Sequence, residues 1–347
     1  MPFVASGVAS SLDACQGGRS MREEAMRYVE AAGLRVSAIG LGCWQFGSKD
    51  WGYGKEYGET TAIDLVHAAL DLGVNLIDTA ETYARGVSEA IVGRALEGRR
   101  EEAFVATKVF PTWPTADRVE EHGRLSALRL GVETIDLYQV HWPNPAVPLR
   151  STMEGMRRLQ DAGTVGAVGV SNYSAERWAR AEHELGRPVA SNQVHFSLLQ
   201  RKPDRANVPY AQTNDRVVIA YSPLEQGVLG GRYDAEHPPP GPARRNNPLC
   251  LPENLERATP LIELLRRVAG AHDATPAQVA LAWLIAKPNV VAIPGASSLD
   301  QLRHNVAAAD LDLSADELDE LTATSDAFTP LGGPATGAAM LRARRAG

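Results

Sequence analysis

The chain has 347 residues, of which 44% are hydrophobic and 22% are charged, as is ordinary for a globular protein that folds in water. Its formal net charge of −7 at pH 7 argues against nucleic acid or an anionic membrane surface as the main partner. The three cysteines, Cys15, Cys43 and Cys250, form neither a metal-ligand pattern nor an even-numbered disulfide framework, so we expect a cytoplasmic protein with reduced thiols and no metal site.

The chain begins with a stretch rich in small residues. Residues 1–20 lack a basic start and a sustained apolar core, which argues against a secretory signal. No apolar run in the sequence approaches the roughly 18 residues needed to cross a bilayer. Because regular patterning begins only near Arg27, we predict a flexible extension over residues 1–25, one domain over residues 26–330 and a tail over residues 331–347.

The predicted strands are eight short apolar runs that alternate with amphipathic segments, after a short hairpin at the start of the domain. The runs occupy residues 36–41, 74–78, 103–108, 135–141, 165–171, 191–196, 217–222 and 290–295. This alternation, repeated about every thirty residues, predicts a parallel sheet, and eight strands close a (β/α)8 TIM barrel. An open doubly wound sheet is the alternative, but its G-x-G-x-x-G fingerprint is absent from GLGCWQFG at residues 40–47. The sequence therefore predicts an α/β fold with a single barrel.

Helix ends and one long loop are also marked in the sequence. Capping boxes are predicted at three helix starts, namely Ser151 with Glu154, Thr275 with Gln278, and Ser314 with Glu317. Glycines that fall where helices should stop are Gly73, Gly131 and Gly163. Residues 232–254, after the seventh strand, predict a loop long enough to suggest a function, such as covering a bound cofactor.

Ionisable side chains fall at the ends of three consecutive predicted strands. Asp78 ends the second strand, Lys108 the third and His141 the fourth, and Tyr83 lies in the loop after Asp78. In a barrel these positions share the C-terminal rim, where active sites of this fold lie. Because a buried carboxylate is costly unless it is paired, we predict an ion pair between Asp78 and Lys108. Tyr83 is expected within hydrogen-bonding reach of Lys108.

Together these groups suit proton donation to a carbonyl oxygen. A free phenol has a pKa near ~10, but a lysine ammonium beside it stabilises the phenolate, and a carboxylate keeps that lysine charged. A histidine can donate a hydrogen bond to the developing oxyanion. Taken singly, each residue also has a structural interpretation, as a helix cap, an ion pair or a packing residue. A Schiff-base aldolase with Lys108 as nucleophile is an alternative, although Asp78 would keep that lysine protonated.

At these residues the sequence resembles the aldo-keto reductases, and the similarity runs from about Arg27 to about Thr324. The similar segments are GLRVSAIGLGCWQFG, NLIDTAETY, ATK, DLYQVHW, GVSNYS, NQVHFSLL, AYSPLEQGVLGG and IPGASS. The catalytic tetrad that the resemblance implies is Asp78, Tyr83, Lys108 and His141. Tyr83 would be the general acid, with its pKa lowered by Lys108. Asp78 would fix Lys108, and His141 would orient the carbonyl.

The resemblance also implies a nicotinamide cofactor that the barrel binds without a Rossmann domain. Ser171, Asn172 and Gln193 match the positions that hold the carboxamide. Tyr221 matches the ring that stacks under the nicotinamide, and residues 222–231 resemble the pyrophosphate-binding stretch. The other implied cofactor contacts are Gly42, Trp44, Asp78, Ser222, Leu224, Gln226, Gly227, Gly295, Ser297, Gln301 and Asn305.

The adenosine end departs from part of this family. Some relatives carry a lysine and an arginine where this chain has Gly295 and Gln301. Ser297 and Ser298 at a helix N-terminus can still bind phosphate, with Arg303 nearby. We therefore expect NADPH as the cofactor, with NADH as the alternative.

The sequence predicts an enzyme that reduces an aldehyde or ketone to an alcohol by hydride transfer from NADPH. The predicted substrate pocket is aromatic and is lined by Trp44, Trp51, Trp113 and Trp142. Cys43 is interpreted as a packing residue and His195 as a polar residue at a strand end. The alternative is a cofactor-binding regulatory subunit that resembles the potassium-channel β subunits. The expected partner is a small carbonyl compound, and the sequence indicates no oligomeric state.

Overall fold

The computed structural model describes residues 26–332, 336, 339 and 340. The predicted N-terminal extension lies outside the described residues, as does most of the predicted tail. Ten strands and ten α-helices occur in the described part of the chain. The strands are β1 Tyr28–Ala31, β2 Leu34–Ser37, β3 Leu41–Gly42, β4 Leu76–Asp78, β5 Phe104–Val109, β6 Ile135–Val140, β7 Val165–Ser171, β8 Ser191–His195, β9 Val217–Tyr221 and β10 Val290–Ala292. The helices are α1 Glu59–Asp71, α2 Val87–Ala95, α3 Ala116–Leu130, α4 Leu149–Asp161, α5 Ala175–Leu185, α6 Lys202–Asn214, α7 Pro252–Ala271, α8 Pro276–Ile285, α9 Leu299–Val306 and α10 Ala315–Ala327.

Strands β3 to β10 form the predicted barrel. Each strand pairs in parallel with its neighbour in chain order. Parallel bridges from Ile39 to Ala292 and from Gly42 to Gly295 join the first strand to the last and close the sheet. Helices follow the strands and cover the outside, so the strands are buried on both faces. The predicted (β/α)8 fold is therefore confirmed.

The predicted bounds of the first barrel strand, residues 36–41, were wrong. Its first two residues belong to β2, which pairs with β1 in an antiparallel hairpin turned at Ala32 and Gly33, both with positive φ. The barrel strand β3 begins only at Leu41. The chain bends at Ala38, between the two strands, and then passes close to β4: a Cβ at Gly40 would lie 2.9 Å from the Leu76 carbonyl oxygen.

The hairpin covers the N-terminal end of the barrel. Ala31 and Val36 belong to the buried apolar cluster that fills the barrel interior with side chains from the strands. The members of this cluster are Ala31, Val36, Leu76, Ala106, Leu137, Val217, Ile219, Val291 and Ile293. Because apolar side chains fill this end, the polar residues of the interior collect at the opposite, C-terminal end.

Two of the three predicted capping boxes are present. Thr275 with Gln278 begins α8, and Ser314 with Glu317 begins α10. The third was wrong, because α4 begins two residues before Ser151, with Pro148 as its N-cap. Pro148 lacks an N–H and fixes its own φ, so the helix starts directly after it. The Ser151 hydroxyl instead accepts a hydrogen bond from the N-terminal N–H of the neighbouring helix α3.

The segment predicted as a long loop is partly ordered by short turns. Residues Arg244–Asn246 and Pro248–Cys250 form 3-10 turns, and α7 already begins at Pro252 rather than after residue 254. Leu249 and Cys250 are buried against the barrel and anchor the end of this segment. No helix of the described residues is long and apolar enough to span a bilayer.

Candidate active site

The predicted ion pair lies at the C-terminal ends of β4 and β5. The Lys108 side chain is fully buried, and its Nζ donates to Asp78 Oδ1 at 2.6 Å and to the Thr79 carbonyl at 2.7 Å. Lys108 Nζ also lies 3.4 Å from the Tyr83 hydroxyl. The second Asp78 oxygen accepts a hydrogen bond of 2.7 Å from Gln193 Nε2. Both oxygens of the buried carboxylate are therefore satisfied, which offsets the cost of burying it.

The surroundings of Lys108 and Tyr83 keep both side chains protonated. Burial lowers the pKa of Lys108, but the neighbouring Asp78 and Tyr83 raise it by more, so the amine stays an ammonium. Burial raises the pKa of the Tyr83 phenol, and Lys108 lowers it by a smaller amount, so this pKa stays above its usual range. The family resemblance implied that Lys108 lowers the pKa of Tyr83, but burial of the phenol raises this pKa by more. Tyr83 is held as a protonated phenol beside a charged lysine.

The loop that carries Tyr83 has an unusual backbone. Ala84 and Arg85 have positive φ values of 48° and 58° and are followed by Gly86 at 88°. A φ of 88° is one that L side chains rarely adopt, which favours glycine at position 86. Glu81 ties the same loop to its neighbours, since it accepts hydrogen bonds from the Phe110 N–H and from the ring of His122. These contacts hold a strained turn that brings the phenol back over Lys108.

His141 lies directly after β6, beside this phenol. Its ring meets the rings of Tyr83 and Phe110 edge-on, with centroids 5.9 and 6.2 Å away. Nδ1 of His141 is buried and has no hydrogen-bond partner among the described residues. Burial and the charge of Lys108 lower the pKa of His141 to about 3. The imidazole is therefore neutral at physiological pH and has an unpaired nitrogen.

We expect the His141 ring to stay neutral from pH 8 down to about pH 5. Its NMR ring resonances, assigned by comparison with His141→Gln, should be constant over this range. The unfolded chain binds this proton near pH ~6.5, so His141 contributes a loss of stability as the pH falls from there towards about 3. A titration midpoint near pH 6 in the folded protein would contradict this.

Three residues that the sequence assigned to the cofactor form one hydrogen-bonded chain. Asn172 has a left-handed backbone with φ at 63°. Its Nδ2 donates to the His141 carbonyl at 3.1 Å and to Ser171 Oγ at 3.0 Å, and its Oδ1 accepts from the Tyr221 hydroxyl at 2.9 Å. The Gln193 carbonyl joins this group by accepting a hydrogen bond of 2.9 Å from the Ser171 hydroxyl, and the Gln193 side chain links it to Asp78. The structure thus brings these polar groups to the same rim as the ion pair.

The turn after β9 has a backbone suited to a close ligand contact. Ser222, Gln226 and Gly227 have φ values of 50°, 55° and 101°. The side-chain oxygen of Gln226 is buried and lacks a hydrogen-bond partner among the described residues. Arg244 Nε from the long loop donates to the Gln226 carbonyl at 3.0 Å. Sharply turned backbone of this kind allows an anion such as a pyrophosphate to approach closely, whereas the unpaired Gln226 oxygen is an acceptor and needs a donor group on a ligand.

The proposed adenosine end lies after β10. The Gln301 side chain accepts hydrogen bonds from both the N–H and the hydroxyl of Ser297. Asn305 Nδ2 donates to the Gly295 carbonyl at 3.2 Å. Arg303 pairs with Asp300 at 3.4 Å, and its side chain is 63% exposed. The polar groups of this segment are therefore largely bonded to one another.

Other predicted cofactor residues have packing roles. Gly42 is required where β3 meets the end of β10, because a Cβ there would lie 2.7 Å from the Ile293 carbonyl oxygen. Leu224 packs partly buried against the core, and Cys43 is fully buried as predicted.

Aromatic side chains surround the rim. Trp44, Trp113 and Trp142 are each about half exposed, and Trp51 meets Trp44 edge-on at 5.2 Å. Phe110, also about half exposed, was not selected from the sequence, but its ring contacts His141 of the tetrad. Its position two residues after Lys108, in a strand-to-helix loop, was the available signal.

Comparisons with known proteins agree with this geometry. The sequence model of the Aldo/keto reductase family matches residues 38–326. An uncharacterised oxidoreductase of Mycobacterium tuberculosis is 54% identical over 307 residues, which are 88% of this chain and 95% of that protein. An NADH-specific methylglyoxal reductase of Escherichia coli is 31% identical over 304 residues, or 81% of this chain and 92% of that protein. The crystal structure of an aldo-keto reductase from Klebsiella pneumoniae in complex with NADPH has a TM-score of 0.71 at 29% identity, covering 89% of this chain and 97% of that chain.

Proposed function

The chain belongs to the aldo/keto reductase family and is an oxidoreductase; from this premise we propose that it reduces an aldehyde or ketone to an alcohol with NADPH, using Tyr83 as the general acid. The observation that carries the proposal is the contact of a buried, charged lysine with both Asp78 and the Tyr83 hydroxyl. A protonated phenol next to an ammonium is a proton donor whose conjugate base is already stabilised.

The roles of the tetrad follow from its contacts. Tyr83 gives its proton to the carbonyl oxygen of the substrate, and the Lys108 ammonium stabilises the phenolate that remains. Asp78, held by Gln193, keeps Lys108 charged and directed at the phenol. His141 is neutral, so one ring nitrogen carries a proton that can orient the substrate oxygen by a hydrogen bond. NADPH, when bound, supplies the hydride to the carbonyl carbon.

The residues around the rim fit a nicotinamide cofactor. Ser171, Asn172 and Gln193 would hold the carboxamide, since the Asn172 amide donates to the Ser171 hydroxyl, which donates to the Gln193 carbonyl. The Tyr221 ring would stack against the nicotinamide, and the turn containing Gln226 and Gly227 would hold the pyrophosphate. The unpaired amide oxygen of Gln226 fits a ligand beside this turn that carries a hydrogen-bond donor next to its pyrophosphate.

Cofactor preference depends on the segment after β10. We propose NADPH as the preferred cofactor, with the Ser297 and Ser298 hydroxyls at the start of α9 binding the 2′-phosphate. NADH is the alternative, because Gln301 is occupied by Ser297 and Arg303 by Asp300. The relatives include both an NADPH-bound structure and an NADH-specific enzyme. We therefore expect a modest preference for NADPH, on the order of tenfold or less, since Arg303, the cation near these serines, is paired with Asp300.

The purified protein is expected to oxidise NADPH when it is given aldehydes and ketones, apolar and aromatic ones above all. The measurement is the loss of nicotinamide absorbance over a panel of carbonyl compounds, repeated with NADH to obtain the ratio of kcat/KM values. A larger kcat/KM with NADH would reverse the cofactor assignment. Tight cofactor binding without turnover on any carbonyl would instead support a cofactor-binding regulatory subunit.

A further inference from the structure

His195, interpreted from the sequence as a polar residue at a strand end, contacts a buried carboxylate next to the proposed cofactor site. Its Nε2 lies 2.8 and 2.9 Å from the two carboxylate oxygens of Glu225. The Glu225 side chain is fully buried, and it also accepts a hydrogen bond of 2.5 Å from the Ser197 hydroxyl. A buried carboxylate needs such donors, so this cluster holds the imidazole ring in one orientation.

The other side of this imidazole is an aromatic stack. The rings of His195 and Tyr221 are nearly parallel, at 19°, with their centroids 5.2 Å apart. Tyr221 is fixed a second time by its hydroxyl, which donates to Asn172 Oδ1. The hydrogen bond to Asn172 therefore holds the end of the Tyr221 side chain, and the His195 ring covers one face of the Tyr221 ring. His195 therefore leaves only the second face of the phenol ring for a flat ligand.

We propose that His195 is a positioning residue, locked by Glu225, that sets the plane of Tyr221 so that its free face meets the nicotinamide ring of the cofactor. The inference rests on the proposed function only in requiring that a nicotinamide cofactor binds here. Stacked aromatic pairs contribute beyond their buried area, so a displaced Tyr221 should weaken binding of the nicotinamide half. The adenosine and pyrophosphate half should be unaffected.

The test compares two ligands on the full-length protein. NADPH carries the nicotinamide, whereas 2′-phospho-ADP-ribose lacks it and keeps the rest of the molecule. For His195→Gln, which keeps an N–H donor for Glu225 but removes the ring, we expect the Kd for NADPH to rise about three- to tenfold. The Kd for 2′-phospho-ADP-ribose should stay within about twofold of wild type. His183→Gln, an exposed histidine of α5, is the matched control and should change neither value.

A second variant separates the ring from the hydrogen bond. His195→Phe keeps an aromatic ring against Tyr221 and loses the donor to Glu225, so its Kd for NADPH should fall between those of wild type and His195→Gln. A Kd for NADPH that is higher in His195→Phe than in His195→Gln would overturn the proposal, because the hydrogen bond to Glu225 would then matter and the aromatic ring would not. Equal weakening of both ligands, or no change in either, would also overturn it.

The outcome is separable from that of the reductase proposal. If wild type binds NADPH but reduces no carbonyl compound, the proposed function fails while the two-ligand comparison still decides the role of His195. If wild type does not bind NADPH, the cofactor assignment and the role of His195 are both overturned.

Discussion

Replacing Tyr83 with phenylalanine is expected to lower kcat about 10²–10⁴-fold while leaving the Kd for NADPH within about twofold of wild type. The substitution removes one oxygen, and with it the proton that the proposed mechanism gives to the substrate. Lys108 keeps its contacts with Asp78 and the Thr79 carbonyl, so the fold should survive. Steady-state kinetics with the best carbonyl of the panel, together with a fluorescence titration of NADPH, measure both quantities.

A second tyrosine provides the matched control. The Tyr28 hydroxyl donates to the Gly73 carbonyl at 2.8 Å, in the hairpin at the other end of the barrel. Tyr28→Phe therefore removes the same atom and one hydrogen bond without touching the site, and kcat should be unchanged. Retention of most of the activity by Tyr83→Phe would assign the proton donor elsewhere, with His141 as the next candidate.

The sequence was informative about this site because a barrel places the C-terminal ends of consecutive strands side by side. Asp78 and Lys108 are 30 residues apart, but they end adjacent parallel strands, so an eight-strand pattern was enough to predict their ion pair. The contact of Gln193 with Asp78 spans 115 residues and crosses the rim. It depends on how far each strand extends and on side-chain rotamers, which the pattern does not specify.

Other features were missed for identifiable physical reasons. The run at residues 36–41 has the pattern of one apolar strand, but its first two residues pair with β1 and the chain bends at Ala38, which depends on tertiary contacts that the pattern does not contain. Glu225 was not selected because a glutamate usually lies at the surface, and its burial is stabilised by His195 and Ser197, at and just after the end of β8. The net rise in the pKa of Tyr83 likewise depends on the degree of burial, which a motif does not report.

The buried pair of Asp78 and Lys108 should show strong coupling in both stability and activity. Lys108→Met removes the charge at similar volume and leaves a buried carboxylate without its cation, which is expected to cost about 3–5 kcal/mol of unfolding free energy. Asp78→Asn should cost a similar amount, since it leaves the buried ammonium uncompensated. Urea unfolding of wild type, both single variants and the double variant measures these values.

In the Asp78→Asn/Lys108→Met double variant, neither charge is left without its partner. We expect its unfolding free energy to recover to within about 2 kcal/mol of wild type, because the cost of each single change is mostly the unpaired charge. Activity should not recover, since the phenolate of Tyr83 would have no ammonium beside it, and kcat should stay at least about 10²-fold below wild type. Recovery of both stability and kcat would show that the pair only supports the fold. Recovery of stability alone would show that the two charges are needed for catalysis and not for folding.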